Sequence, residues 1–167
     1  LSIENLIFLI ECNQFNQVLY NIYYSDNDKP NTLIDQRFKL HNYIPTSAIV
    51  ALIKPEQEEE HSKYEAFVSI FIKYCLTNSQ HSINISYHSR NALYNLFGLD
   101  ITNHNIDQHT KEWLLDVLMT NKNIPVNELC FVFDNCYREI NKLCVQTFGS
   151  FKHSESYQRY VQVISEP

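Results

Sequence analysis

Glycine occupies only two of the 167 positions, Gly98 and Gly149. Loops that cradle phosphate need several glycines so that backbone amides can approach the anion, and neither a Walker A loop nor a Gly-x-Gly-x-x-Gly turn can be written with two. A fold of many tight β-turns also draws on glycine for its positive-φ positions. Both classes are excluded, and the spacing of the apolar residues points to helix instead.

Phe8, Cys12, Phe15, Leu19 and Ile22 recur at steps of three and four, which predicts a helix from Ser2 to about Tyr23 with Ser2 as its N-cap. A polar stretch from Ser25 to Thr32 reads as loop, and Pro30 within it discourages helix. Thr46 to Ile53 is a short apolar run that periodicity leaves open between helix and strand, and Glu56 to Glu60 reads as a solvated face or linker. Ser62 and Glu65 have the spacing of a capping box ahead of Phe67, Ile70, Phe71 and Tyr74. Asn78 to Ile85 is loop. Ser86 can then cap a short helix through Phe97, with Gly98 to end it. Asp107 to about Lys122 reads as an amphipathic helix around Trp113, Leu114, Val117 and Leu118. Pro125 suits the first turn of a last long helix, whose core stripe is Leu129, Phe133, Cys136, Ile140 and Leu143, widened by Tyr137 and Cys144. A final helical segment follows Ser154. The expectation is one all-α domain over residues 1–167, a bundle of roughly seven to nine helices.

Charged residues are 19% and apolar residues 44% of the chain, a globular balance that can bury a core without disulfides or metal. A formal net charge of −6, with 13 Lys and Arg spread along the sequence, argues against nucleic acid as the partner. The five cysteines, an odd number with no Cys-x-x-Cys pair, read as small core residues of a reducing compartment. No apolar run is long enough to span a bilayer and no secretory signal opens the sequence, which itself begins inside a helix pattern. The expected location is cytoplasmic, with recruitment to the inner face of the plasma membrane left open.

Chemistry-bearing motifs are scarce. The seven histidines lack the i, i+4 or His-Glu-x-x-His spacing of a metal site, and the carboxylates show no acid–base pairing. The cysteines lie on helix stripes among Phe, Leu and Ile, so core packing is favoured over a Cys–His nucleophile. Asn84-Ile85-Ser86 has the form of a glycosylation sequon, read here as a coincidence of a polar loop. No metal, cofactor or small-molecule substrate is expected.

Three segments, in order, look like the regulator of G-protein signalling (RGS) box. SIENLIFLIECNQF is similar to a family helix of the form Ser-x-Glu-Asn-hydrophobic-x-Phe-Trp-hydrophobic-x-Cys-Glu-x-aromatic, with Ser2, Glu4, Asn5, Phe8, Cys12 and Phe15 close to register. Ile70 to Arg90 resembles the next helix, a loop reading hydrophobic-Asn-hydrophobic-Asp/Ser, and a helix carrying Arg. Ile83, Asn84, Ile85, Ser86 and Arg90 match there. FDNCYREINKLCVQTFGSFKHSESY resembles the family's Phe-Asp-x-Ala-Gln helix and its Phe-x-x-Ser-x-x-Tyr end, matched at Phe133, Asp134, Ile140, Leu143, Phe151, Ser154 and Tyr157. The likeness covers somewhat less than half of the chain. It implies an RGS-like bundle elaborated by insertions at about 24–60 and 98–126 and lacking the family's first helices.

The resemblance implies a non-enzyme partner of a GTP-loaded heterotrimeric G-protein α subunit (Gα). Such domains hold the Gα switch regions in the geometry of hydrolysis and supply no catalytic group of their own. By position, Asn84 would orient the Gα glutamine, Glu4 and Asn5 would fix the switch backbone, and Leu143 would line the pocket for a switch threonine. Thr147 and Ser150 stand where family members that stimulate hydrolysis usually carry Asp and Arg, the second after a one-residue deletion around Phe148-Gly149. Two charge-assisted hydrogen bonds are thereby lost, each worth on the order of 1.5–3 kcal/mol. Leu9 replaces the family Trp, a milder core change. Read without the resemblance, Glu4 and Asn5 only suit the first turn of a helix, Asn84 is a turn residue, Arg90 makes a structural ion pair, Leu143 is core, and Glu11 belongs to a solvated face. Three functions follow: a GTPase-activating RGS domain, an RGS-homology binding or scaffold module without that activity, or an unrelated helical domain. Under the first two, Asn5, Asn84 and Leu143 should cluster on one exposed face.

Overall fold

The computed structural model describes residues 2–24, 45–54, 59–100 and 110–165. Among the described residues the regular structure is entirely helical. The α-helices are α1 (Ile3–Tyr23), α2 (Glu60–Ile70), α3 (Tyr87–Asn95), α4 (Lys111–Asn121), α5 (Asp134–Lys152) and α6 (Glu155–Ser165). Short 3₁₀ turns at Val50–Leu52 and Val126–Phe131 and a π-helical turn at Phe71–Cys75 complete them. The undecided run at 46–53 thus holds only the short 3₁₀ turn Val50–Leu52. The helix anticipated from Asp107 begins at Lys111, capped by the Thr110 hydroxyl, and positions 107–109 lie outside the described residues. No helix among the described residues is long and apolar enough to cross a membrane.

α1 is the centre of the bundle rather than one amphipathic wall. Phe8, Cys12, Phe15 and Leu19 are fully buried, but so are, nearly, the polar Asn5, Glu11, Asn13, Gln14 and Asn16 on its other sides. Gln14 shows how such a residue is accommodated: its Nε2 donates to the Pro45 carbonyl at 3.1 Å and its Oε1 accepts from the Ser47 amide at 2.9 Å. Burying an amide without partners is costly, so these bonds to a distant segment both satisfy the side chain and fix that segment. Glu11 corrects the sequence expectation. It is 6% exposed and bonded to Lys73 Nζ at 2.8 Å, because α1 has no solvated face at that level.

Phe133 is the hub of the core. Its ring meets Phe67 at 5.1 Å, Phe15 at 5.9 Å and Phe8 at 6.1 Å, so α1, α2 and the start of α5 close on one residue. Edge contacts such as those with Phe15 and Phe8 add about 0.5–1.5 kcal/mol each beyond area burial. Phe71 continues the cluster to Phe97 and Tyr94, seating α3. The Tyr64 hydroxyl donates to the Ile124 carbonyl at 2.8 Å across 60 residues and ties α2 to the chain after α4. All five cysteines are free and buried.

Local signals succeed or fail for identifiable reasons. Ser86 caps α3 by accepting from the Ser89 amide, and Gly98 takes φ +66° just past the helix end. Ser62 does not open α2, which begins two residues earlier at Glu60. Its hydroxyl donates to the Glu59 carbonyl and accepts from the Lys54 amide, while Glu65 pairs with Lys111 at 2.7 Å. Ser2 sits at the N-cap of α1 with extended backbone but accepts no capping bond. Pro125 precedes the 3₁₀ turn Val126–Phe131, and α5 proper starts only at Asp134. Trp113 is 37% exposed, leaving Leu114 and Leu118 to face the core.

Candidate functional site

Asn84 stands at the centre of a three-residue turn, in which the Ile85 amide donates to the Ile83 carbonyl at 3.1 Å. Ile83 and Ile85 are buried at 2% and 8%, whereas Asn84 is exposed. Alternation of buried and exposed side chains around a tight turn forces the amide outward. The turn is held on both flanks. On one side the Ile83 amide donates to the Tyr74 carbonyl at 3.0 Å. The Arg90 guanidinium donates to the Ile83 carbonyl at 2.9 Å and to the Cys75 carbonyl. Arg90 therefore grips two backbone carbonyls of the π-helical turn and the loop, in place of the expected ion pair. A π-helical turn interrupts the regular ladder and re-aims the carbonyls that follow, here the acceptors of Ile83 and Arg90.

On the other flank the acceptor is Glu139 of α5. Its carboxylate takes the Ser86 amide at 2.6 Å, the Ser86 hydroxyl at 2.8 Å and the Ser89 hydroxyl at 2.5 Å. Burial works against the charged form of Glu139, but these three bonds outweigh it, with a further contribution from His88, and the carboxyl is held below its ordinary value. Sequence reasoning does not single out Glu139. The only trace of it is a carboxylate four residues before Leu143 on the helix that faces two serines three apart.

Glu4 lies in the first turn of α1. Its carboxylate bonds its own backbone amide and the Ser2 side chain, and these, with the field of His81, hold its pKa below the usual value. His81 belongs to the loop that leads to Asn84. Asn5 is buried, at 5% exposure, and its Oδ1 has no hydrogen-bond partner. It does not share the exposure of Asn84, and this corrects the expectation of a single exposed face. Leu143, one turn beyond Glu139, is half-buried and not among the core residues, which corrects the expectation that it belongs to the core stripe. Thr147 is half-buried and Ser150 exposed, and both hydroxyls donate back to carbonyls of α5, those of Leu143 at 2.9 Å and Gln146 at 3.2 Å.

The Asn84 loop and α5 thus adjoin through Glu139 and the serines, and α1 and the start of α5 through the Phe8–Phe133 contact. Nothing in this arrangement resembles a nucleophile with its base. No cluster of three His, Cys, Asp or Glu able to hold a metal ion occurs among the described residues. An open depression of about 400 Å³ lined by Tyr24, Ile124, Glu128, Phe131 and Val132 lies by the opposite, C-terminal end of α1 and includes none of the residues above. No family model matches the chain, and no curated protein or solved structure matches it either.

Proposed function

We propose that the chain is a divergent RGS domain that binds the switch regions of a GTP-loaded Gα subunit and accelerates its GTP hydrolysis. The observation that carries this reading is the outward amide of Asn84 on a turn whose neighbouring backbone groups are bonded to other elements. An amide offers donor and acceptor together, and one held this way has little conformational freedom to lose on binding. In this reading Asn84 orients the Gα glutamine, and Glu4 meets the switch backbone at its margin. Asn5, carried as a contact by the resemblance, is buried with its Oδ1 covered and does not itself meet the partner. Leu143 supplies the apolar wall for the switch threonine. The domain adds no acid, base or arginine finger, so the rate gain comes from geometry imposed on the partner's own groups. The stretches at about 24–60 and 98–126 are insertions in this reading. Its place of action is the cytoplasm, where Gα is met at the inner face of the plasma membrane.

A second reading, an RGS-homology module that binds without accelerating, is favoured by one feature. Thr147 and Ser150 turn their hydroxyls into their own helix, leaving no charge where the resemblance expects Asp and Arg. Single-turnover GTP hydrolysis by a panel of Gα subunits, with and without this chain, separates the two. Acceleration that disappears in Asn84→Ala supports the first. Binding to transition-state-like Gα without acceleration supports the second, and no binding to any Gα excludes both.

A further inference from the structure

Resting on the Gα reading, we propose that Glu139 is a positioning residue that acts through Asn84. Its carboxylate, on α5, accepts from the Ser86 amide and from both serine hydroxyls, so it fastens the C-terminal side of the Asn84 turn to a helix rather than to solvent. The N-terminal side is already fastened by Tyr74 and Arg90. A turn anchored on one side only can still swing about that anchor, and anchoring on both fixes where the side chain points. Ser86 is both the cap of α3 and the Glu139 donor, which couples the turn to α3 and α5 at once. Glu139 is not one of the positions carried by the RGS resemblance. Its role follows from the three bonds it accepts from Ser86 and Ser89.

The test pairs the hydrolysis assay with amide hydrogen exchange on the same purified chain. Glu139→Ala should speed exchange of the Ser86 amide by about tenfold or more, the loss of one bond to a charged acceptor. Exchange in α1 should stay unchanged and serves as the control for folding. Acceleration of Gα hydrolysis should fall at least about tenfold by the same arithmetic, with Glu139→Gln recovering part of it because an amide oxygen still accepts. In an Asn84→Ala background, Glu139→Ala should cause no further loss, since its effect passes through that side chain. Unchanged Ser86 exchange overturns the proposal, as do losses that add in the double variant or full acceleration by Glu139→Ala. Failure of the underlying reading looks different: the wild-type chain then accelerates no Gα, whatever the exchange data show, and the functional part of the proposal falls with it.

Discussion

In the turn at Asn84 the neighbouring backbone groups bond to other elements: Ile83 to Tyr74 and Arg90, Ser86 to Glu139. Along the second half of α5 the hydroxyls of Thr147 and Ser150 bond only within their own helix. The buried stripe of Phe133, Cys136, Ile140 and Cys144 continues there into Phe148 and Phe151, which are 48% and 44% exposed. Both regions belong to the proposed Gα surface. One is held by tertiary contacts that prescribe a direction for a single side chain, and the other is an ordinary helix surface that follows from local geometry. A partner that depends on the first should therefore be sensitive to residues that never touch it, and one that depends on the second should not.

The largest disturbance should come from Phe133→Ala, which removes the ring on which α1, α2 and α5 close. A loss of about 3–5 kcal/mol is expected from a cavity of this kind, measured by urea denaturation. A loss under about 1 kcal/mol would mean that the two regions do not share one core. Lys73→Ala should be milder. It leaves Glu11, already carrying an unpartnered Oε2, without its ammonium. The expected cost is about 1.5–3 kcal/mol, falling on the Asn84 side because Lys73 lies in the π-helical turn beneath the loop. Opening should show there first in amide exchange.

Acid should separate the regions further. Because the folded pKa of Glu139 is below its unfolded value, its contribution to stability is complete above the unfolded value, near ~4.3. It is lost as pH falls through the lowered folded value. The Tm difference between wild type and Glu139→Gln should thus shrink between about pH 6 and about pH 3. A difference independent of pH would show that the carboxylate charge is not what holds Ser86. The smallest effects belong to Thr147→Ala and Ser150→Ala, each expected within about 0.5 kcal/mol of wild-type stability. Hydroxyls bonded to their own helix add little that alanine's helix propensity does not replace. A marked loss of Gα binding in either would move the second region into the same class as the first.

The helical class, the burial of the cysteines, the Ser86 cap and the Gly98 stop were all legible in the sequence, because periodicity and capping depend on residues within one or two turns. So were the stripe residues Phe8, Phe15 and Phe133, although their meeting at one ring was not. Glu11 was misjudged because helical spacing counts apolar residues on one face, whereas α1 is enclosed on nearly all sides, and only the packing of α2 brings Lys73 to it. Asn5 failed for the same reason: its neighbours along the chain say nothing of what covers it.

Sequence alone therefore determined the helical class and most of the apolar stripe that α1 and α5 turn to the core. Those outcomes are set by φ/ψ preference, capping and the 3.6-residue period, all short-range. Tertiary structure decided what holds Asn84: an Arg90 fork on two carbonyls and a Glu139 carboxylate 55 residues downstream. The reason is physical. A hydrogen bond between segments distant in sequence exists only once the core has placed them within 3 Å or so of each other.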